Sequence, residues 1–495
     1  MMINLRKIWH ALTNMSALDL RSLAFMRIAL GSVLLFDLTQ YASLATFYLA
    51  DSGFANRVEF LSKQANAWNW SLLYTSGSDI FIYLFLTWHA VTLLLFVIGY
   101  KTRWQTFFLW VQIVSLHNRN WTVTNGGDDL IRCCLLLLVF LPLGARWSWD
   151  SKNKSNNDER YHSLMNFVLF VQISIMYIAS ALLKNHPWWN VDFSAMHYVL
   201  NLDLFVRPFG VWLKNFPSLI SPLTAGAYYF EIYGPYILFL GFFTTCWNFS
   251  RYFLVISFVA FHLAIDCMLN VGTFPYFAMA LWTAFLPSHF WNSLKPQLHA
   301  VQEFFTKIYH HLTTFIKPIH LPKFSHSILA AFFLFNLLYW PLSDSKIGLW
   351  PATSNIFFQT TNRWLATYQN WYLFAPYPKV DNVWYEIIGE LSSKNEVDLF
   401  RLIPRQHPIN AEEVHQYYHI EKWRKILLKM ETTPLYQNWL AQYYCKHWHE
   451  IAGKKFSNDT LMTVKILSHN LITAPRGIAS GQRSENVIIS HNCSN

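Results

Sequence analysis

Long apolar segments recur along this chain and constrain its fold more than any other feature. Windows of about 20 predominantly apolar residues follow one another from Leu23 to Leu342, and this is the length that a helix needs to cross a hydrocarbon core. Charged residues make up only 13% of the 495 positions, whereas a soluble chain carries about a quarter. A buried soluble core accounts for one such window but not for a series. The sequence therefore predicts a mainly α-helical, polytopic transmembrane bundle.

The apolar segments predict about nine membrane-spanning helices. The predicted spans are 23–41, 80–100, 104–118, 129–148, 163–184, 218–246, 252–270, 273–292 and 326–343. Two other segments, 4–14 and 299–318, are amphipathic, which is typical of helices that lie in the membrane interface.

After Leu342 the composition becomes that of a water-facing domain. WYEIIGEL and EVDLFRL, separated by SSKN, predict two strands joined by a turn, and the charged segment 411–470 favours helices. The end of the chain has a composition typical of disorder. We expect a transmembrane domain over 1–343, a small extramembrane α+β domain over 344–475 and a disordered tail over 476–495.

The formal net charge of +10 bears on orientation and on lipid binding rather than on nucleic acid. Lys and Arg are more frequent in the loops on the side of the N-terminus, and such loops usually remain in the cytoplasm. We therefore expect a multi-pass protein of a bacterial inner membrane, with the N-terminus cytoplasmic and the C-terminal domain outside. The six cysteines show no metal-ligand spacing, and we expect neither a metal site nor a disulfide framework.

Lys184 ends the fifth predicted span in YIASALLKNHPWW. A lysine at an apolar boundary can lose its proton more readily and serve as a base. The alternative is a lysine that extends to the lipid headgroups, with Trp188 and Trp189 as interface anchors.

NGGDDLIR, residues 125–132, precedes the fourth predicted span. Asn125 is a favourable helix cap, and Asp128 and Arg132 stand four residues apart on one helix face. A purely structural role explains these features, while Gly126 and Gly127 would also let a ligand approach the backbone.

Four further polar residues lie within or between the apolar segments. His262 and Asp266 are four residues apart in FHLAIDCMLNVGTFPYFAMAL, so they form either part of a site or an interhelical hydrogen bond. Asn270 lies in the turn that follows. Glu231, near Gly234 and Pro235, needs a partner or a water-filled cavity if it lies in a span.

The order of these motifs resembles the HTTM membrane domain, which is shared with vitamin K-dependent γ-carboxylases. The segment NWYLFAPYPKVDNVWYEIIGEL also resembles the one that follows this domain in bacterial members, so the resemblance covers about residues 20–400. The ordered segments are FMRIALGSVLLFDL, ADSGFANR, NGGDDLIR, LPLGARWSWD, ALLKNHPWW and FHLAIDCMLNVGTFPYFAMAL.

The resemblance implies an enzyme, a γ-glutamyl carboxylase-like lyase with a vitamin K-like quinol as cofactor. In the carboxylases a membrane-boundary lysine deprotonates the quinol, which reacts with O2. The strong base that results removes a γ-proton from a protein glutamate, which then takes up CO2. A tryptophan follows that lysine five residues later, as Trp189 follows Lys184 here.

The resemblance therefore implies Lys184 and His262 as catalytic residues at the outer membrane face. The partners it implies are membrane lipids and a secreted peptide or protein substrate. The family's W-S-x-D and F-H…G-x-F patterns match Trp147, Ser148, Asp150, Phe261, His262, Gly272 and Phe274. The expected substrate- or quinone-binding residues are Asn125, Gly126, Gly127, Asp128, Arg132, Trp189, Glu231 and Asn270.

One segment departs from the family pattern. The animal carboxylases carry Asn-Asn-His where this chain has Asn125, Gly126 and Gly127, so Gly127 takes the place of the histidine. The alternative function is therefore a non-carboxylase HTTM protein that acts in maturation or immunity of a secreted peptide, or in lipid binding. A transporter is less favoured, because the chain has no inverted repeat.

Overall fold

The computed structural model describes most of the chain. The expected interfacial segment 299–318 lies outside the described residues, as does 4–14 except for Thr13. The described residues are 13, 16–62, 68–152, 159–237, 247–294, 323–350, 356–409, 413, 420–430, 433–453, 455–456, 458–478 and 483–493.

Helices dominate the structure. In chain order they are α1 (Leu20–Ala42), α2 (Ala45–Leu49), α3 (Arg57–Ser62), α4 (Asp79–Ile98), α5 (Thr102–Arg119), α6 (Gly126–Leu138), α7 (Leu164–Leu183), α8 (Pro187–Asn190), α9 (Ala195–Leu200), α10 (Pro208–Leu213), α11 (Pro217–Tyr233), α12 (Trp247–Met268), α13 (Phe274–Trp282), α14 (Ser288–Ser293), α15 (Lys323–Leu342), α16 (Ile356–Trp364), α17 (Glu421–Met430) and α18 (Pro434–Ala452). Short 3-10 turns cover Leu72–Tyr74, Trp121–Val123, Trp149–Ser151, Gly234–Tyr236 and Thr283–Phe285.

A helical membrane bundle is confirmed, but its nine spans are not. Among the described residues four helices, α1, α4, α7 and α12, are long and apolar enough to cross a membrane. Two apolar helices, over Phe274–Phe285 and Ser327–Leu342, are shorter. Of the other expected spans, α5 buries several polar side chains and α6 ends after 13 residues.

Arg27 lies near the middle of α1 and is completely buried. Its guanidinium donates to the carbonyl oxygens of Leu143, at 2.8 Å, and Val97, at 3.3 Å, and also to that of Trp147. A charged side chain is tolerated here because its donors find carbonyl partners. Arg27 thereby ties α1 to the end of α4 and to the segment after α6.

Asp150 connects the same segment to the start of α5. Its carboxylate accepts hydrogen bonds from the backbone N–H groups of Lys101, at 2.8 Å, and Thr102, at 2.7 Å. The Thr102 hydroxyl donates to it as well, at 2.7 Å. A carboxylate at a helix N-terminus satisfies otherwise unpaired donors and complements the helix dipole.

The C-terminal domain contains a five-stranded antiparallel sheet. Its order is β5-β4-β3-β6-β7, and a separate two-stranded sheet pairs β1 with β2. Helix α18 packs against β6 and β7. The strands are β1 (Leu18–Asp19), β2 (Arg160–Tyr161), β3 (Asp381–Leu391), β4 (Glu396–Asp398), β5 (Ile403–Pro404), β6 (Leu461–Ile472) and β7 (Ser484–Asn492).

The two strands expected near WYEIIGEL and EVDLFRL are present as β3 and β4, but three expectations for this domain are wrong. The end of the segment expected to be helical forms β6. Part of the tail expected to be disordered forms β7, which pairs with β6 along its length. Cys445 and Cys493 form a disulfide that links α18 to the residue after β7. Apolar side chains alternate along β6 and β7, but this pattern identifies the two segments as strands only when their pairing is known.

The C-terminal domain rests on one end of the bundle, which we call the domain-facing end. This end contains the C-terminal ends of α1 and α5 and the N-terminal end of α6. Aromatic pairs join the two parts: Phe47 lies 5.6 Å from Trp423, and Trp121 lies 6.0 Å from Tyr436, between ring centroids. Helix α17 contacts both α1 and the turn at Trp121–Val123.

Candidate functional site

Lys184 and Glu231 form an ion pair inside the bundle. Lys184 is the residue after α7, and its ammonium donates to a carboxylate oxygen of Glu231 on α11. Lys184 is 4% exposed and Glu231 8%, so the ammonium is directed into the protein. The Trp189 ring lies 4.7 Å from the ammonium, at cation–π distance. The structure therefore brings together three of the residues predicted for the site.

His262 belongs to a separate hydrogen-bonded group. Its Nε2 lies 2.6 Å from the hydroxyl of Tyr177, which accepts a hydrogen bond of 2.8 Å from the indole of Trp282. Because the indole can only donate, the tyrosine proton is available for Nε2. In the tautomer in which Nε2 accepts this proton, the imidazole carries its own proton on Nδ1, which is buried and has no hydrogen-bond partner among the described residues.

Asp266 does not pair with His262, although the two share a helix face. Its carboxylate instead contacts Arg207, at 3.0 Å, and accepts a hydrogen bond of 2.8 Å from the hydroxyl of Tyr276. Of the two outcomes left open for His262, the interhelical hydrogen bond is present, and Tyr177 provides it.

The expected helix cap at the start of α6 is confirmed. The side chain of Asn125 accepts from the backbone N–H of Gly127, at 2.6 Å, and the Asp128 carboxylate accepts from the N–H of Asn125, at 2.8 Å. Although Asp128 and Arg132 stand four residues apart on one helix face, Arg132 contacts Asp129 instead, at 2.8 Å. Asp128 points into the bundle, where its Oδ1 lies 3.3 Å from Nε2 of His117.

Arg132 fastens a later segment of the chain to α6. Its guanidinium donates to the carbonyl oxygens of Ala366, at 2.6 Å, and Tyr368, at 2.7 Å. The same segment continues to Phe374, whose carbonyl oxygen accepts from the indole of Trp189 at 3.1 Å. Residues 366–374 therefore connect the start of α6 with the Lys184 pair.

The two glycines of NGGDDLIR have different surroundings. A Cβ on Gly127 would lie 2.8 Å from Cα of Phe274, so the start of α13 fills the space that a side chain would need. A Cβ on Gly126 would meet only Trp371, at 3.7 Å. The close approach at Gly127 is thus made by protein backbone.

Asn270 shapes the turn between α12 and α13. Its backbone N–H donates to the carbonyl of Phe205, at 2.6 Å, and its side-chain oxygen accepts from the N–H of Gly272, at 3.3 Å. Gly272 has a positive φ of +70°, a conformation that favours glycine. These contacts place the next residues, Thr273 and Phe274, against α6.

Two residues at this end were not anticipated, and both come from α17. Glu421 accepts a hydrogen bond of 2.6 Å from the side-chain amide of Asn125 and one of 3.2 Å from the backbone N–H of Thr273. The ammonium of Lys422 lies 3.1 Å from Asp37. Asn125 thus caps α6 and also connects this helix to Glu421 of the C-terminal domain.

The electrostatics of α17 follow from its burial. Burial raises the pKa of Glu421 against the opposing effect of nearby cations. Burial alone would lower the pKa of Lys422, but Asp37, Tyr41 and Asp128 outweigh it and raise that pKa well above its usual value. Lys422 is therefore held in its charged form.

Two chemically distinct arrangements result. The Lys184–Glu231 pair places an amine beside a carboxylate in a buried setting, which suits proton transfer. The group around Glu421 and Lys422 holds opposite charges in fixed positions, which suits binding.

Comparison with known proteins gives one match. A family model described as the HTTM domain matches residues 15–291, more than half of the chain. No curated protein matches, and no solved structure matches. The matched range contains the start of α6, the Lys184–Glu231 pair and His262, whereas α17 and the five-stranded sheet lie beyond it. This chain therefore belongs to the HTTM domain family of membrane proteins.

Proposed function

We propose that the protein is a membrane enzyme in which Lys184 and Glu231 transfer a proton of a quinol-type substrate. The observation that carries this proposal is the buried ion pair itself. Buried charges within a membrane bundle are costly, so a pair of them invites a functional explanation. The resemblance to the carboxylases supplies the substrate class.

The pair can act as a base when Glu231 carries a proton. Lys184 is then a neutral amine whose lone pair can accept a proton from a hydroxyl group. The O–H bond breaks, an N–H bond forms, and the new ammonium lies beside the oxyanion that it has produced. Trp189 stabilises this ammonium through its ring face.

The surroundings of His262 fit a quinol. When bound, a quinol would supply an acidic hydroxyl and reducing equivalents. Nδ1 of His262, for which the described part of the chain offers no partner, is a donor in an aromatic environment, with the Phe261 and Phe274 rings 5.6 and 5.4 Å from the imidazole. Buried donors without partners call for an explanation, and a quinol or quinone oxygen would provide one.

The orientation that we propose places the domain-facing end outside the cytoplasm. Two independent features support it: the excess of Lys and Arg in the loops on the N-terminal side, and the disulfide between Cys445 and Cys493. Disulfides persist in oxidising compartments such as the bacterial periplasm. In a bacterial inner membrane, loops rich in Lys and Arg face the cytoplasm and disulfides persist on the periplasmic side, so both features agree with this location.

A second function is favoured by Gly127. Because the backbone of Phe274 occupies the space beside it, the family histidine has no room at this position. A non-carboxylase protein that binds a secreted peptide or a lipid would not need that histidine.

Mass spectrometry of lipids that copurify with the protein tests the quinol proposal. We expect a quinone with the wild type and a loss of at least about tenfold in His262→Gln, because Gln offers Tyr177 a partner but no donor at the Nδ1 position. His89→Gln is the control, since His89 is equally buried but pairs with Gln112. Wild-type protein without any quinone, or equal loss in both variants, would contradict the proposal.

A further inference from the structure

Three arginines form a cluster at the end of the bundle opposite the domain-facing end. Arg21 lies in the first turn of α1, Arg160 in β2 and Arg251 near the start of α12. The pairing of β1 with β2 places Asp19 opposite Arg160, and the charge of Arg251 interacts with both of these residues. Three segments that are distant in sequence thus bring their positive charges together in this arginine cluster.

The acidic side chains of the cluster neutralise it only in part. Arg21 occupies Asp19, since its guanidinium donates to both carboxylate oxygens, at 3.0 and 2.8 Å. Glu159 lies 3.9 Å from Arg21 and its side chain is 51% exposed, so water screens this pair strongly. Among the described residues, three arginine charges therefore face two carboxylate charges, and one positive charge stays uncompensated.

Arg160 has hydrogen-bond donors that the described part of the chain leaves unused. Its Nε donates to the hydroxyl of Ser288 at 3.1 Å, while its two terminal nitrogens make no hydrogen bond or ion pair with a described residue. The side chain is exposed, so a ligand can reach these donors. The planar guanidinium presents parallel N–H groups that match the oxygens of a phosphate.

An apolar strip of α12 lies next to the arginine cluster. Three side chains at helical spacing are half exposed or more: Phe249, Phe253 and Ile256. On the neighbouring helix face, the hydroxyl of Tyr252 lies 3.3 Å from Nδ1 of His289. His289 directly follows Ser288, the partner of Arg160. The apolar strip therefore continues through the start of α14 to the arginine cluster.

We propose that the arginine cluster and the apolar strip bind one phospholipid with a net negative charge. Its phosphodiester contacts Arg160, and an acyl chain lies along the apolar strip. The single uncompensated positive charge matches the single negative charge of phosphatidylglycerol, whereas phosphatidylcholine has no net charge.

The location agrees with such a lipid. Basic pockets between membrane helices on the cytoplasmic side are typical sites for anionic headgroups, and the orientation proposed above places the arginine cluster on that side. This lipid site is separate from Lys184 and His262, which lie at or towards the other end of α7 and α12. The proposal therefore does not rest on the proposed enzyme chemistry.

Native mass spectrometry of the full chain in detergent tests the proposal, by titration with phosphatidylglycerol or with phosphatidylcholine of the same acyl chains. We expect the wild type to bind phosphatidylglycerol at least tenfold more tightly than phosphatidylcholine. Arg160→Gln should lose this preference, because glutamine keeps a hydrogen-bond donor but not the charge. Lys101→Gln is the matched control and should keep the preference. It removes one positive charge at the same end of the bundle, where the ammonium lies over the Tyr100 ring.

Three results would overturn the proposal. The first is equal affinity of the wild type for the two lipids, and the second is the same loss of preference in both variants. The third is displacement of phosphatidylglycerol by millimolar glycerol phosphate, because the acyl chain would then contribute nothing and the site would bind a soluble phosphate.

The effect of salt provides a second readout if Arg160→Gln does not fold. Phosphatidylglycerol should raise the midpoint of thermal unfolding of the wild type more than phosphatidylcholine does. This difference should shrink severalfold when the KCl concentration is raised, since ionic strength screens exposed charges. A difference that does not change with salt would contradict binding through the arginine cluster.

Discussion

Gly127 lies where α6 and α13 pack most closely against each other. At this position a β-carbon would lie 2.8 Å from Cα of Phe274 and 2.9 Å from the side-chain oxygen of Asn125. Backbone cannot move aside as a flexible side chain can, so any larger residue forces α6 and α13 apart. A histidine, which the resemblance to the carboxylases implies at this position, would therefore not fit without moving these helices.

Gly127→Ala is therefore expected to destabilise the protein by about 1–3 kcal/mol, the usual cost of overpacking. The midpoint of thermal unfolding in a fixed detergent measures this. Gly226→Ala is the matched control, because Gly226 is helical and a Cβ there meets no heavy atom within 4 Å. Alanine at Gly226 should be neutral or stabilise by about 0.4–1 kcal/mol. Equal effects at the two glycines would contradict the packing argument.

The individual polar residues of the site could be predicted, but their pairing could not. Lys184 and Glu231 are each conspicuous as charges in apolar segments, yet their contact joins the residue after α7 to a residue of α11 that lies 47 positions later in the sequence. Glu421 and Lys422 gave no signal, because EKWRKILLKM is typical of a solvated amphipathic helix. The side chains of Glu421 and Lys422 are buried only because α17 packs against the bundle.

At the scale of elements, α17 carries a basic residue whose pKa depends on the docked state. Burial and the nearby Lys425 lower the pKa of Lys429 to about 7, against the attraction of Asp129 and Asp128. Its ammonium donates to the carbonyl oxygen of Trp121 at 2.7 Å. An unfolded chain keeps an ordinary lysine pKa of about 10.4.

Between pH 7 and about 10 the unfolded state therefore binds more protons at Lys429 than the folded state, and stability should rise with pH. Thermal unfolding midpoints of the wild type and Lys429→Gln, measured over this window, test the sign. The wild type should gain stability relative to the variant as the pH rises. A difference between the two proteins that stays constant with pH, or that changes in the opposite sense, would contradict the lowered pKa.

Strand β7 is connected to α18 by a disulfide. The disulfide between Cys445 and Cys493 closes a loop with a sequence separation of 48 residues. Cys445→Ser should lower the free energy of unfolding by about 2–4 kcal/mol, the usual effect of losing such a link. Peptide mapping without reductant should recover the linked pair from the wild type. Cys267→Ser, which removes an exposed free thiol, serves as the control; free thiols at both Cys445 and Cys493 would contradict the link.

For the molecule as a whole, the proposed orientation makes a topological prediction. Reporters fused after Asn156 and after Phe400 should lie on opposite sides of the membrane, the first in the cytoplasm. The excess of basic loop residues predicts both positions, and the disulfide predicts the second. Reporters on the same side would contradict the orientation, and if that side were the cytoplasm the disulfide would lie in a reducing compartment.

The fold class could be predicted because the mean hydropathy over the length of a helix identifies segments that can cross a membrane. The number of spans could not, since α5 is polar yet buried and α6 is apolar yet short. Such helices are stabilised by their neighbours rather than by lipid, and composition does not distinguish the two environments. The β6–β7 pairing and the disulfide could not be predicted either, because both depend on contacts between segments that are distant in sequence.

We propose that Lys184 accepts the proton of a quinol, and the Lys184→Arg variant separates this role from a purely structural one. Arginine keeps the positive charge and can still pair with Glu231, but it cannot act as a base near neutral pH because its pKa exceeds about 12. The measurement is the rate of oxygen-dependent quinol oxidation by the protein in nanodiscs, corrected for protein-free discs. We predict that the wild type oxidises a vitamin K-like quinol and that Lys184→Arg is slower by about a hundredfold or more, the scale of losing a general base, with an unchanged unfolding midpoint. Equal rates in the two proteins would contradict the claim.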